Sequence, residues 1–250
     1  MSVEEIAWLE PRWGATRVQV RSMLRTGGVS RGAYRSLNLA AHVGDQPDCV
    51  AENRRRLASA VALPAEPLWL EQVHGSDVVV NDAAGSTPRV DAAVAFEPGR
   101  VCVVMTADCL PVVIRDRQGT CVAVAHAGWR GLAAGVLEQT VLALRCPPAE
   151  LLAWLGPAIS SRAFEVGLEV REAFVARSRD FAVCFEPNAG GRLQADLYAL
   201  ARIALGLAGV GEVHGGGWCT YGEPDRFFSF RRDRDTGRMA TLAWLASAAC

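Results

Sequence analysis

Three short segments carry side chains suited to a shared chemistry, the binding of a metal ion. They are Glu71-Gln72-Val73-His74-Gly75, Thr106-Ala107-Asp108-Cys109-Leu110-Pro111 and Ala125-His126-Ala127-Gly128-Trp129-Arg130-Gly131. Each places a metal-capable group where an apolar run ends in a turn-like stretch. Two imidazoles and a thiolate suit zinc or copper, and three protein ligands leave a coordination position for water or substrate, as in chemically active sites. The spacings are long and no compact metal motif is present, so the reading rests on three strand ends converging at one edge of a sheet. A histidine taken alone is more often a hydrogen-bonded structural residue. The chain has four, His42, His74, His126 and His214, and it is the conjunction of two of them with Cys109 that points to an enzyme.

Other readings of the same residues stay open. Cys109 with His126 can be a thiol nucleophile and its base, as in cysteine hydrolases. The three groups can also form a single-metal redox or binding module. Asp108 can orient a ligand, carry a proton or cap the following turn. Gly128 and Gly131 flank Trp129-Arg130 at a helix start, a seat for phosphate or a carboxylate. Gly28-Val29-Ser30-Arg31-Gly32 matches a nucleophile elbow and His214-Gly215-Gly216-Gly217 an esterase oxyanion string, but both stand in the wrong order and place for a hydrolase. They read as turns in which Gly supplies positive φ.

The chain that must position these groups has 250 residues, half of them apolar, and a net charge of −1. Such a chain can bury a substantial core, and no global pull toward nucleic acid or anionic membrane exists. All 26 basic residues are Arg, which excludes Schiff-base chemistry and a Walker lysine. Eight cysteines lack C-x-x-C pairing and several lie in apolar runs, so they read as free thiols in a reducing compartment. With no signal-like N-terminus and no stretch of ~18 apolar residues, a cytoplasmic location is expected. Strands are expected at Arg17 to Leu24, Leu68 to Gln72, Asp77 to Val80, Val101 to Thr106, Val112 to Ile114, Thr120 to Ala125, Leu151 to Leu155 and Met239 to Leu245. Helices are expected at Asp48 to Leu63, with Asp48 as N-cap and Arg54-Arg55-Arg56 on its wet side, and at Gly131 to Arg145, Val166 to Arg177 and Asp196 to Leu207. Strands clustered ahead of most helices imply an α+β, or mixed α/β, fold in layers around one core. With no linker or repeat, residues 1–250 read as a single domain.

The ordered motifs resemble those of the laccase-domain family, long labelled multicopper polyphenol oxidase and described as purine nucleoside phosphorylase with adenosine deaminase activity. The resemblance rests on Gly27 to Ser30, Tyr34 to Asp45, Gln72 to Gly75, Thr106 to Pro111, His126 to Gly131, Trp154 to Ile159, Phe164 to Gly167 and Phe227 to Gly237. Phe230 departs from it, since Tyr is the more usual residue there. The resemblance implies layered mixed sheets flanked by helices, similar to cytotoxic deamidase toxins. It also implies one zinc ion per chain, with copper as the alternative, on His74, Cys109 and His126. Its substrates would be phosphate and adenosine, inosine, guanosine or methylthioadenosine, with hydrolytic deamination of adenosine as a second activity. Some relatives are instead described as peptidoglycan editing factors acting on muropeptides. Partners are thus purine nucleosides and phosphate, without nucleic acid or membrane, for a monomer or homodimer. Asp108, Cys109 and His42 are the catalytic candidates, Asp108 as proton carrier for a metal-activated water. Arg31, Asn38 and Arg130 are the candidates for binding substrate or phosphate. Four histidines cannot ligate a blue copper and a three-copper cluster, which argues against laccase chemistry. Met105 is conceivable as an axial ligand to a single copper but reads more simply as core.

Overall fold

Much of this sequence runs apolar without interruption because its strands are buried on both faces. A computed structural model describes residues 5–14, 17–82 and 87–247. Four strands, β1 (Trp8–Leu9), β2 (Val18–Met23), β5 (Cys102–Thr106) and β13 (Met239–Leu245), form one antiparallel sheet in the order β1-β2-β13-β5. Six others, β3 (Val78–Val80), β4 (Ala92–Ala95), β6 (Leu110–Asp116), β7 (Val122–Ala127), β8 (Leu151–Leu155) and β12 (Glu212–Gly215), form a mixed sheet in the order β12-β8-β6-β7-β4-β3. Only its outer pairs, β12 with β8 and β3 with β4, are parallel. A small third sheet holds β9 (Glu165–Val166), β10 (Phe185–Pro187) and β11 (Leu193–Ala195).

The two-residue period of a strand assigns its side chains to layers. Val122 and Val124 of β7, Ala93 and Ala95 of β4, Val113 of β6 and Trp154 of β8 pack with Cys102, Val104, Ala243 and Leu245 of the facing sheet. The alternate residues Ala123, Ala125, Val112, Ile114, Ala153 and Leu155 point the other way, into a second core. Helices α2 (Trp129–Ala134), α3 (Val136–Ala143), α4 (Leu168–Val175) and α5 (Leu197–Leu207) cover that face through Leu132, Leu137, Phe174 and Leu200. On the far side of the four-stranded sheet, α1 (Pro47–Ala60) packs Leu57 with Leu242, Trp244 and Val103. A last short helix, α6 (Phe230–Asp233), precedes β13. The architecture is α+β: helix, sheet, sheet, helices.

The departures from the expected elements have local causes. Leu68 to Gln72 is not a strand; it touches β5 through a single bridge at Leu68 and is otherwise tied by the Gln72 amide, which pairs with both backbone groups of Met105. Helix α1 starts from Gln46 with Pro47 at its first position, so Asp48 lies in the first turn and is not the cap. Arg54 is not on a wet face: its guanidinium stacks 3.7 Å from the Trp69 ring centroid and donates to the Leu39 carbonyl. The helix expected from Gly131 to Arg145 is two helices, divided at Gly135, whose φ of 92° is left-handed. Helix α4 starts at Leu168 because Val166 pairs with Leu193 in the third sheet. Asp196, expected as the first helical residue, is the N-cap of α5, its carboxylate accepting from the Ala199 amide. Among the described residues no helix is long and apolar enough to cross a membrane.

Candidate functional site

Strand β5 belongs to one sheet and β6 to the other, so the turn joining them must cross the end of the sandwich. Asp108 makes the crossing possible with a φ of 94°, and Cys109 follows it at the rim. Neighbouring β7 carries His126 opposite Pro111, on the strand face it shares with Val122 and Val124. His74 sits on the loop after Gln72 with a φ of 60°. The donor atoms of His74, Cys109 and His126 lie within 4.8 Å of one another. They converge at the end of the sandwich, from a crossover turn, a central strand and a loop, and not from three strand ends at one sheet edge.

One fully buried carboxylate, Asp91, ties this constellation together. Its Oδ1 lies 2.8 Å from His126 Nδ1 and accepts from the His74 amide at 2.9 Å. Its Oδ2 accepts from the amides of Gly75 and Val73 at 2.7 and 3.1 Å. Burial would raise the Asp91 pKa, but the contact with His126 and these amides hold it below the ordinary carboxylate value. An ionised Asp91 keeps the proton on His126 Nδ1 and leaves Nε2 as the donor atom facing Cys109. Sequence reasoning missed Asp91, which stands among turn-like residues before β4 and has no motif of its own.

Charge is paired inside the cluster. Burial opposes ionisation of Cys109, yet the His126 and His74 imidazoles bring its thiol down to about 6. Burial likewise disfavours the His126 imidazolium, and the Cys109 charge with Asp91 outweighs it, raising His126 to about 9. Gly128 presses against the cluster: a Cβ there would lie 3.0 Å from Cys109 Sγ and 3.1 Å from the His74 ring. A preformed thiolate beside two imidazole nitrogens, one oriented by a carboxylate, fits a soft divalent cation such as zinc or copper.

The cluster opens into a cavity of about 240 Å³, lined also by His42, Gln72, Met105, Thr106, Ala107, Phe230 and Arg238. That is at the small end for a ligand cleft, whose volumes run from roughly 300 Å³ upward. Of the other expected site residues only His42 lines it. Asp108 is occupied elsewhere: Oδ1 accepts from Thr220 Oγ1 and Oδ2 from the Arg231 amide, each at 2.6 Å. It fastens the crossover turn to the segment before β13. Asn38 is fully buried and all its amide groups are engaged, with Ala40, Asp45 and the Arg238 amide. Arg31 and Arg130 are exposed and outside the lining; Arg130 lies over the Trp129 ring. Met105 is nearly buried and shows only an edge to the cavity. Phe230 presents a phenyl ring to the cavity, so the hydroxyl expected from the resemblance is missing from its wall.

The rejected hydrolase motifs are structural. Ser30 is buried, donating to Asp45 and accepting from Asn53. Gly215, Gly216 and Gly217 all have positive φ, and His214 contacts Glu212 at the surface. Seven cysteines are free thiols, and Cys250 lies outside the described residues.

Comparison with known proteins bears on the same segments. A family model described as multi-copper polyphenol oxidoreductase laccase matches residues 19–246. Purine nucleoside phosphorylase PA4543 of Pseudomonas aeruginosa is 56% identical over 241 residues, covering 96% of this chain and 98% of that protein. Purine nucleoside phosphorylase YfiH of Escherichia coli K12 is 54% identical over 237 residues, covering 94% and 97%. Among solved structures, that of Neisseria meningitidis protein NMB0706 has a TM-score of 0.92 at 49% identity, covering 98% of this chain and all of that one.

Proposed function

The chain belongs to the multi-copper polyphenol oxidoreductase laccase family, and from that premise we propose that it is a metal-dependent purine nucleoside phosphorylase. Its substrates are adenosine, inosine, guanosine and methylthioadenosine, with hydrolytic deamination of adenosine as a second activity. The observation that carries the reading is the His74-Cys109-His126 cluster at the wall of a cavity that His42 and Arg238 also line. The relatives named purine nucleoside phosphorylase support the reaction class.

His74, Cys109 and His126 are the residues that would hold the cation. When bound, it supplies a Lewis acid at the cavity wall. In phosphorolysis a phosphate oxygen bonds to the anomeric carbon, the glycosidic bond to the purine nitrogen breaks, and that nitrogen ends protonated. With His74, Cys109 and His126 committed as ligands, His42 is the remaining imidazole of the cavity able to deliver or relay that proton. Its burial, then the charges of Arg238 and Arg54, lower its pKa and favour the neutral imidazole, in which one ring nitrogen donates and the other accepts. Asp108, expected as the proton carrier, serves this reading as the tether of the Cys109 turn.

The thiolate–imidazolium pair of Cys109 and His126 favours a second reading, a cysteine hydrolase or muropeptide editing factor in which Cys109 attacks an acyl carbon. Chromatography of adenosine and inosine after incubation with the protein, with and without phosphate and chelator, separates the two. Phosphate-dependent, chelator-sensitive release of free base supports the phosphorylase. Cys109→Ala is expected to lower both metal content and turnover by at least a hundredfold. Metal-free cleavage of a muropeptide acyl bond that iodoacetamide abolishes, without nucleoside turnover, belongs to the hydrolase, and full nucleoside turnover in metal-free Cys109→Ala excludes both readings.

A further inference from the structure

Arg238 lines the cavity, and the side-on edge of its guanidinium has no hydrogen-bond partner among the described residues. Its Nη1 donates to the carbonyls of Thr236 and Gly237 at 2.8 and 3.1 Å. Among the described residues Nε and Nη2, the side-on fork of the guanidinium, have no acceptor and no carboxylate within ion-pairing distance. The chain nevertheless fixes this residue closely. Asn38 Oδ1 accepts from the Arg238 amide at 2.9 Å, and the Leu39 amide donates to its carbonyl at 3.3 Å. The preceding Gly237 admits no larger residue, since a Cβ would lie 2.8 Å from Phe228 and 2.9 Å from Asn38. The guanidinium rests 5.7 Å from the Phe230 ring centroid, half-buried at the wall shared with His42, Cys109 and His126.

We propose that Arg238 is the anion-holding residue of the site and that its free fork grips the phosphate co-substrate. A half-buried cation with no ion-pair partner among the described residues is costly, and a planar fork matches two oxygens of one tetrahedral anion. Cys109 and Asp108 are the negative groups within reach of its charge, but Cys109 is a metal ligand in this reading and the Asp108 carboxylate is held by Thr220 and the Arg231 amide. Burial and the neighbouring arginines lower the pKa of His42 beside Arg238, and no carboxylate lines the cavity. Of the two substrates, a nucleoside is uncharged and phosphate is an anion, so the guanidinium selects phosphate. Arg31 and Arg130, the anion seats expected from the sequence, stand outside this wall. The buried amide of Asn38 is thereby a positioning group for Arg238.

This inference rests on the phosphorylase reading for the identity of the anion, and two measurements keep them apart. The first is binding of inorganic phosphate alone to metal-loaded protein by calorimetry. The second is the KM for phosphate and for inosine, in wild type, Arg238→Met and Arg238→Lys, with metal content and thermal unfolding checked in each. In Arg238→Met phosphate binding is expected to weaken more than tenfold and the phosphate KM to rise by the same factor, while the inosine KM stays within about twofold; Arg238→Lys recovers part of the loss. Wild type that binds phosphate through Arg238 but releases no base sinks the phosphorylase reading and keeps the anion site. Phosphate binding and KM unchanged in a folded, metal-loaded Arg238→Met overturn the anion site alone. An inosine KM that rises with an unchanged phosphate KM also overturns it, since Arg238 then holds the nucleoside.

Discussion

At the scale of single residues, the site depends on one proton being in the right place. Asp91 holds His126 through Nδ1, His126 holds Cys109 as a thiolate, and the thiolate is what a soft cation needs. This gives a pH dependence with a definite sign. The Cys109 pKa is lowered, so in metal-free protein the reactive thiolate prevails above about 6 and is lost as pH falls through that value. An unperturbed thiol changes over near ~8.5. Cys102 and Cys184 go the other way, burial pushing them up to about 12 and about 11. Iodoacetamide labelling read peptide by peptide is therefore expected to modify Cys109 first, with a rate midpoint near pH 6. In Asp91→Asn the midpoint should move upward, because the carboxylate that supports the imidazolium is gone. A wild-type midpoint above pH 8 would contradict the ion pair. Little of this was visible in the sequence beyond the ligands. Cys109, His74 and His126 carry reactive atoms in their names, whereas Asp91 is ligand-like only by its partner across β4 and β7. Arg238 directly follows the Phe227 to Gly237 segment that carries the resemblance, and nothing local distinguishes it from Arg231 or Arg234.

At the scale of elements, the sandwich supplies the precision. Strands β5 and β6 lie in different sheets, so the Cys109 turn is stretched between two rigid layers and fastened by Thr220 and the Arg231 amide on Asp108. Strand β7 is central in its sheet, which removes freedom from His126. Helix α2 follows its N-cap Gly128, whose backbone lies within a side-chain atom of Cys109 and His74. Gly128 has an ordinary φ of −68°, so Ala costs no backbone strain there and the effect of Gly128→Ala isolates packing. The added methyl must displace Cys109 Sγ or the His74 ring. Metal affinity is expected to fall ten- to a hundredfold, as when support around a metal ligand is disturbed, while far-ultraviolet dichroism and cavity-remote stability stay unchanged. Competition with a chromogenic chelator measures it, and undiminished affinity would show that the cluster has slack. Strands such as Leu151–Leu155 and Met239–Leu245 were legible as unbroken apolar runs bounded by turns. The break at Gly135 was not, because a glycine inside a helical apolar pattern signals a kink only when its φ is known. Leu68 to Gln72 has strand composition, but the Gln72 amide takes over the pairing with Met105 that a ladder would have made.

At the scale of the whole molecule, the layers share strands, and that sharing decides how the chain should unfold. Every residue of β6 and β7 is buried, their alternate side chains serving the inter-sheet core and the helix-side core. Strands β5 and β13 likewise serve the inter-sheet core and the core under α1. No outer layer can separate without exposing one face of a strand whose other face belongs to the next core. We therefore expect residues 5–247 to unfold as one cooperative unit, the single domain suggested by the absence of a linker. Leu57→Ala opens a cavity between α1 and the four-stranded sheet, and Leu137→Ala one between α3 and the six-stranded sheet; both side chains are almost wholly buried. Each is expected to cost about 2–5 kcal/mol, and because the sites lie in opposite outer layers the double variant should lose close to the sum. Urea denaturation followed by tryptophan fluorescence and by far-ultraviolet dichroism should give coincident single transitions in all three variants. If Leu57→Ala instead splits the curve, with the fluorescence of Trp8, Trp69 and Trp244 lost before the dichroism, the α1 layer folds apart from the rest and the shared strands do not couple the cores.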